Sequence, residues 1–120
     1  MRKNQYKFTF DPEFQLEILR FIIQDKEGGL VLKRIKSSYL TLIEHSIIAE
    51  GIIKYYKRCN KIPSKSVLKE VIKELLESKE YVDLITKDDI PTVHNLIDNL
   101  YEIPLKDRDF IQEKVYQFTT

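Results

Sequence analysis

The side chains able to act on a substrate are few. The chain holds one cysteine, Cys59, and two histidines, His45 and His94. A thiolate beside a histidine can serve as a nucleophile, and histidines one helical turn apart can hold zinc. The spacing favours neither. His45 and His94 are far apart and belong to no His-x3-His or His-Glu-x2-His arrangement, and Cys59 sits in a basic turn without a nucleophile motif. A nucleotide would need a glycine-rich cradle of backbone amides, but no Gly-x4-Gly-Lys-Ser/Thr segment exists and glycine occurs only 3 times. The sequence therefore predicts no catalytic residue, no metal site and no cofactor, and a chain that is not an enzyme by itself. His45 reads as a structural residue, bonded near the start of its helix. A single cysteine also excludes an internal disulfide, which agrees with a reducing compartment.

The other chemistry is charge. Lys54, Lys57, Arg58, Lys61, Lys65, Lys69 and Lys73 surround one turn, with Tyr55 and Tyr56 interleaved. Lysines in such a run could contact phosphates, and Lys54, Lys57, Arg58, Lys61 and Lys65 are the candidate nucleic-acid contacts. A solvated face, or contacts to protein, is the favoured alternative, because lysines at helical spacing usually line the wet side of a helix and both tyrosines also fit its apolar stripe. Net charge is only +1, yet residues 33–73 carry a balance of +7 and residues 74–120 a balance of −6. Such segregation either makes the molecule electrically polar, able to steer partners or fix contacts between copies, or lets the two parts neutralise each other on contact.

These groups must be positioned by helices. At 120 residues and 42% hydrophobic content the chain suits one domain, residues 1–120; sparse Gly and Pro with recurrent Ile, Leu, Lys and Glu favour helix. The expected fold is all-α, a compact orthogonal bundle of about five to six helices. No apolar run approaches the roughly 20 residues that span a bilayer, and the start lacks a signal-peptide core, so a soluble cytoplasmic protein without membrane contact is expected.

Tyr6 to Phe10 alternates aromatic and polar residues and reads as an extended arm. Asp11-Pro12 predicts a helix start carrying Phe14, Ile18 and Ile22, with its end at Gly28-Gly29 through a left-handed glycine cap. A short helical turn around residues 30–35 follows. Thr41-Leu-Ile-Glu44 has the form of a capping box, opening a helix to about Arg58 whose broad apolar face makes it the candidate centre of the core. Asn60 to Ser64 reads as a turn, Ser64 as the cap of a helix with the stripe Val67, Leu68, Val71, Ile72 and Leu75. After a polar break, Val93, Leu96, Ile97, Leu100 and Tyr101 mark another helix, capped by Asp88 or Asp89 and ended by Pro104. Asp107 is expected to cap the last, whose apolar side is Phe110, Ile111, Val115 and Phe118. Those four are the candidate protein interface, unless they pack on their own domain. The abrupt end of this helix suggests that it leads into a further domain.

The order of these signals resembles the N-terminal domain of DnaB-type replicative helicases, phage versions especially. That family's first helix carries a Gln followed by paired aliphatics and a terminal Asp; the counterpart is Gln15, Ile18-Leu19, Ile22-Ile23 and Asp25, with one extra residue of spacing. An aromatic pair and a His opening a long helix are matched by Tyr39-Leu40-x4-His45-x2-Ile48, with Leu40 in place of the second aromatic. A Pro turn with an Asp-like cap and spaced apolar residues is matched by Ile62-Pro63-Ser64-x2-Val67-Leu68-x3-Ile72, Ser64 standing where many members have Asp. The matched elements span residues 14–72; beyond Tyr81 the likeness is general.

The resemblance implies a collar domain preceding a RecA-like ATP-driven motor, in the cytoplasm of a bacterial or phage-infected cell. It implies self-association within a helicase ring, docking of primase or a loader, and contact with DNA mainly through the motor domain. Two other readings compete: a free-standing helical nucleic-acid binder using the lysines, and a small adaptor or inhibitor with no motor attached.

Overall fold

The computed structural model describes residues 10–119. The aromatic arm read from Tyr6 onward therefore lies outside the described residues, except for Phe10. Six α-helices follow in order: α1 Pro12–Gln24, α2 Gly28–Leu32, α3 Ile43–Cys59, α4 Lys65–Leu76, α5 Ile90–Glu102 and α6 Arg108–Phe118. Short 3-10 turns at Ser37–Tyr39 and Lys87–Asp89 lead into α3 and α5. No strand occurs among the described residues, and the fold is an all-α multi-helix bundle. No described helix is long and apolar enough to cross a membrane.

Two helix starts follow the local chemistry. At α1 the Asp11 carboxylate accepts the Phe14 amide at 2.9 Å, and Pro12 occupies a first position whose missing N–H costs nothing. At α4 the Ser64 hydroxyl accepts the Val67 amide at 3.5 Å. Asn60 ends α3 in the left-handed region with φ 57°, its amide donating to the Tyr56 carbonyl at 2.7 Å, a conformation that asparagine tolerates better than most residues.

Other boundaries differ from expectation. Helix α1 stops at Gln24 with Asp25 as its cap, and Gly28-Gly29 begin α2 instead of ending α1; no described glycine has positive φ. Gly28 is needed for close approach: a Cβ there would collide with the Ile22 carbonyl as the chain folds back on α1. The Thr41–Glu44 capping box does not form. Helix α3 starts at Ile43 without a side-chain cap, and the Thr41 hydroxyl is engaged by Gln15 from α1. Asp89 stands at the cap position of α5 but turns its carboxylate back to the Thr86 amide and hydroxyl, at 3.0 and 3.1 Å. Asp107 precedes α6 with φ 55° and caps through its backbone carbonyl, which accepts the Ile111 amide at 3.1 Å, with no side-chain bond.

The core draws on every helix: Ile18, Leu19, Phe21 and Ile22 from α1, Val31 from α2, Ile47, Ile48 and Ile52 from α3, Leu68 and Ile72 from α4, Val93 and Ile97 from α5, Ile111 and Val115 from α6. Each such side chain contributes about 1.5–3 kcal/mol by leaving water. The expected central helix was α3, but α1 is the more enclosed. Its residues 18–22 are all buried, so a full turn of its surface is covered, and α2, α3, α5 and α6 all pack on it.

Candidate functional site

The first polar feature sits inside the bundle. Gln15 is fully buried on α1, and its amide oxygen lies 2.8 Å from Nδ1 of His45 on α3, itself 3% exposed. The Gln15 amide nitrogen donates to the Phe10 carbonyl and to the Thr41 hydroxyl, both at 2.7 Å. One glutamine thus ties the segment before α1, the approach to α3 and α3 itself. Burial holds the His45 pKa below its ordinary value, partly opposed by the adjacent Glu44 carboxylate, so the ring is a neutral donor at physiological pH. The arrangement ties α1 to α3 through the Gln15 amide and the Nδ1 side of the His45 ring.

A second join lies where α6 meets the end of α1. The Arg108 guanidinium takes both oxygens of Asp25, at 2.8 and 2.9 Å, and reaches Glu27 at 3.3 Å and Asp109 at 2.5 Å. The guanidinium bond holds the Asp25 carboxyl below the usual carboxylate range. Nearby, Gln24 donates to the carbonyls of Leu100 and Ile103, each at 2.7 Å, and accepts the Leu105 amide at 2.9 Å. It thereby satisfies groups that the end of α5 would otherwise leave orphaned. Neither Arg108 nor Gln24 was legible as a partner from sequence, because the bonds span 83 and 76 to 81 positions and no local pattern encodes them.

The lysine run splits in two. Lys65 lies 2.7 Å from Glu102 and 3.6 Å from Asp98, and Lys69 lies 2.7 Å from Asp98, so both are neutralised by α5. Lys69 holds the Asp98 carboxyl below its usual range, and Glu102 raises the Lys65 ammonium above its own. Lys54, Lys57, Arg58 and Lys61, and Lys73 on α4, are exposed and make no ion pair among the described residues. The fold adds to them Lys33 and Lys36, from the segment after α2, which line one cleft of about 430 Å3 together with Lys57 and Tyr56. Sequence reasoning left these two out because they lie 18 or more positions before Lys54.

The candidate interface on α6 also divides. Ile111 and Val115 are 2% and 0% exposed and belong to the core of this chain, so they offer no surface. Phe118 packs on Phe10 and Tyr39, with ring centroids 4.2 and 5.5 Å away. Phe110 alone stays open, at 54% exposure, with the Phe14 ring 6.4 Å away edge-on and Lys114 over its face. An apolar concavity elsewhere was not foreseen. The segment read as a polar break after α4 folds into a wall, and a groove of about 870 Å3 forms there with Leu76, Val82, Ile85 and Ile90 among its lining residues and Lys73 and His94 beside them.

No group of three or more His, Cys, Asp or Glu able to hold a metal occurs among the described residues. Comparison of the chain with known families, with curated proteins and with solved structures gives no match in any of the three.

Proposed function

We propose that the chain is the non-catalytic N-terminal interaction domain of a phage-type, DnaB-like replicative helicase, helping its ring assemble and offering a docking surface to primase or a loader. One observation carries this reading. The two polar residues through which the sequence resembles that family, Gln15 on the first helix and His45 on the long third one, lie 30 positions apart yet meet at 2.8 Å in the core. Polar residues chosen from a linear pattern would ordinarily scatter over the surface, since an unpaired buried amide or imidazole is costly. Their pairing gives one physical reason for both elements to occur together. Asp25 at the end of α1 and Ser64 at the start of α4 stand at helix boundaries, where the same resemblance assigns them.

On this reading the bundle works through its surface. Ile111 and Val115 hold α6 in place, and Phe110, with Phe14 beside it, supplies the apolar contact to a neighbouring subunit or a docked partner. The reading is tested on the product of the complete reading frame by native mass spectrometry. A ring of several copies is expected, with Phe110→Asp weakening subunit contacts by roughly tenfold or more, as loss of a central interface aromatic does. A product that stays monomeric with nucleotide present would overturn it.

A further inference from the structure

We infer that the cleft between α3 and the segment after α2 binds single-stranded nucleic acid, with Lys33, Lys36 and Lys57 on its phosphates and Tyr56 against a base. Three lysines from two parts of the chain line this one cavity of about 430 Å3. None has a carboxylate partner among the described residues, whereas Lys65 and Lys69 are tied to α5. Unpaired lysines gathered around a concavity create a local positive field that a strand of phosphates relieves, releasing its counterions. Lys54, Arg58 and Lys61 continue the exposed charge along and beyond α3.

The cleft also holds a ring. Tyr56 is half-buried and lies so close to Gly29 that a Cβ there would meet its hydroxyl, which fixes the ring against α2. Lys33 Nζ stands 5.9 Å from the ring centroid, at the edge of cation–π range, so it can swing to a phosphate and free that face. A charged track with an aromatic platform is the arrangement by which proteins hold single strands without regard to sequence. One acidic residue, Glu50, lines the cavity too, which limits the anion to the lysine side.

An acidic protein segment is the competing occupant, and the surface argues against it. Protein interfaces are depleted of lysine relative to the rest of the surface, whereas Lys33, Lys36 and Lys57 all line this cleft and none of the exposed large hydrophobics, Leu30, Leu42, Val82, Leu84, Ile103 and Phe110, does. The inference does not depend on the helicase reading, since it rests on the cleft alone.

The test is fluorescence anisotropy of a labelled mixed-sequence oligonucleotide with the full chain at low salt. Micromolar to sub-millimolar binding is expected, as for other non-specific sites. The exposed-lysine variant Lys33→Gln/Lys36→Gln/Lys57→Gln should bind at least tenfold more weakly and flatten the salt dependence by about 2 in its logarithmic slope. Lys65→Gln/Lys69→Gln should bind like the wild type, because those charges are already spent. Tyr56→Leu should weaken binding about fivefold or more by loss of stacking. Circular dichroism checks the fold of each variant, and the three-lysine variant, altered only at the surface, decides the matter should Tyr56→Leu unfold. No binding at low salt, equal loss in the Lys65/Lys69 variant, equal affinity for a duplex of the same length, or displacement by polyglutamate as readily as by unlabelled strand would each overturn the proposal.

Discussion

Of the polar joins between distant parts of this chain, two are built on opposite principles. Gln15 and His45 meet inside the bundle, dry and neutral, through directed hydrogen bonds. Lys65 and Lys69 meet Asp98 and Glu102 outside it, wet and charged, at side chains that are 29–62% exposed. In the interior an unmade hydrogen bond costs its full desolvation, so such a join specifies how α1 and α3 fit. At the surface, water and salt replace a lost partner, so that join chiefly cancels charge. The difference explains the fate of the charge segregation. Segments of opposite balance lie against each other at α4 and α5, and most of the unpaired cations lie on the other side of the turn.

The largest expected effect lies inside. Gln15→Leu leaves the His45 N–H without its acceptor and should cost about 2–4 kcal/mol in urea denaturation. Adding His45→Phe removes the stranded partner and should recover a good part of that loss; a double variant as unstable as the sum of both singles would break the inside half of the comparison.

Arg108→Met should come next. It leaves the Asp25 carboxylate, only 10% exposed, with the Glu27 amide but no cation, and loosens α6 from the end of α1. Amide exchange should rise across α6 while α3 and α4 stay protected. Uniform loss of protection would contradict a local clamp.

Acid should separate the buried pair from the ion pairs. Burial lowers the His45 pKa from its ordinary 6.5, so the unfolded chain takes up a proton that the folded one refuses. Stability contributed here is complete above that value and falls as pH drops below it. Asp25 and Asp98, lowered from 3.8 by Arg108 and Lys69, lose their contribution only as pH falls further, through and below that value. Denaturation across pH should therefore show a first loss that His45→Gln abolishes and a later one that it leaves intact.

The smallest effect is outside. Asp98→Asn should leave the denaturation midpoint nearly unchanged, and high salt should erase what change there is. A loss comparable to that of Gln15→Leu would erase the contrast between the two joins.

Legibility in the sequence followed the range of the interaction. The caps at Asp11 and Ser64, the turn that begins at Asn60 and the stripes of α4 and α5 depend on neighbours within a turn or two, and the residues state them. Gly28-Gly29 misled because glycine signals either a left-handed cap or a close approach, and only the path of the chain past Ile22 decides between them. Thr41 misled because a hydroxyl three residues before a Glu fits a capping box, but a buried Gln15 competes for it. In the candidate surfaces, periodicity found the apolar side of α6 without telling Ile111, which is packed away, from Phe110, which is open. The split of the lysines depends on where α5 lies, and Lys33 and Lys36 join Lys57 only through the turn that follows α2.

The proposed function is a collar domain attached to a motor. Sequencing the gene beyond the codon for Thr120 tests it most directly. An open frame that runs on into a domain carrying a Gly-x4-Gly-Lys-Ser/Thr loop is the predicted result; a stop codon directly after Thr120, or a continuation without such a loop, would contradict it.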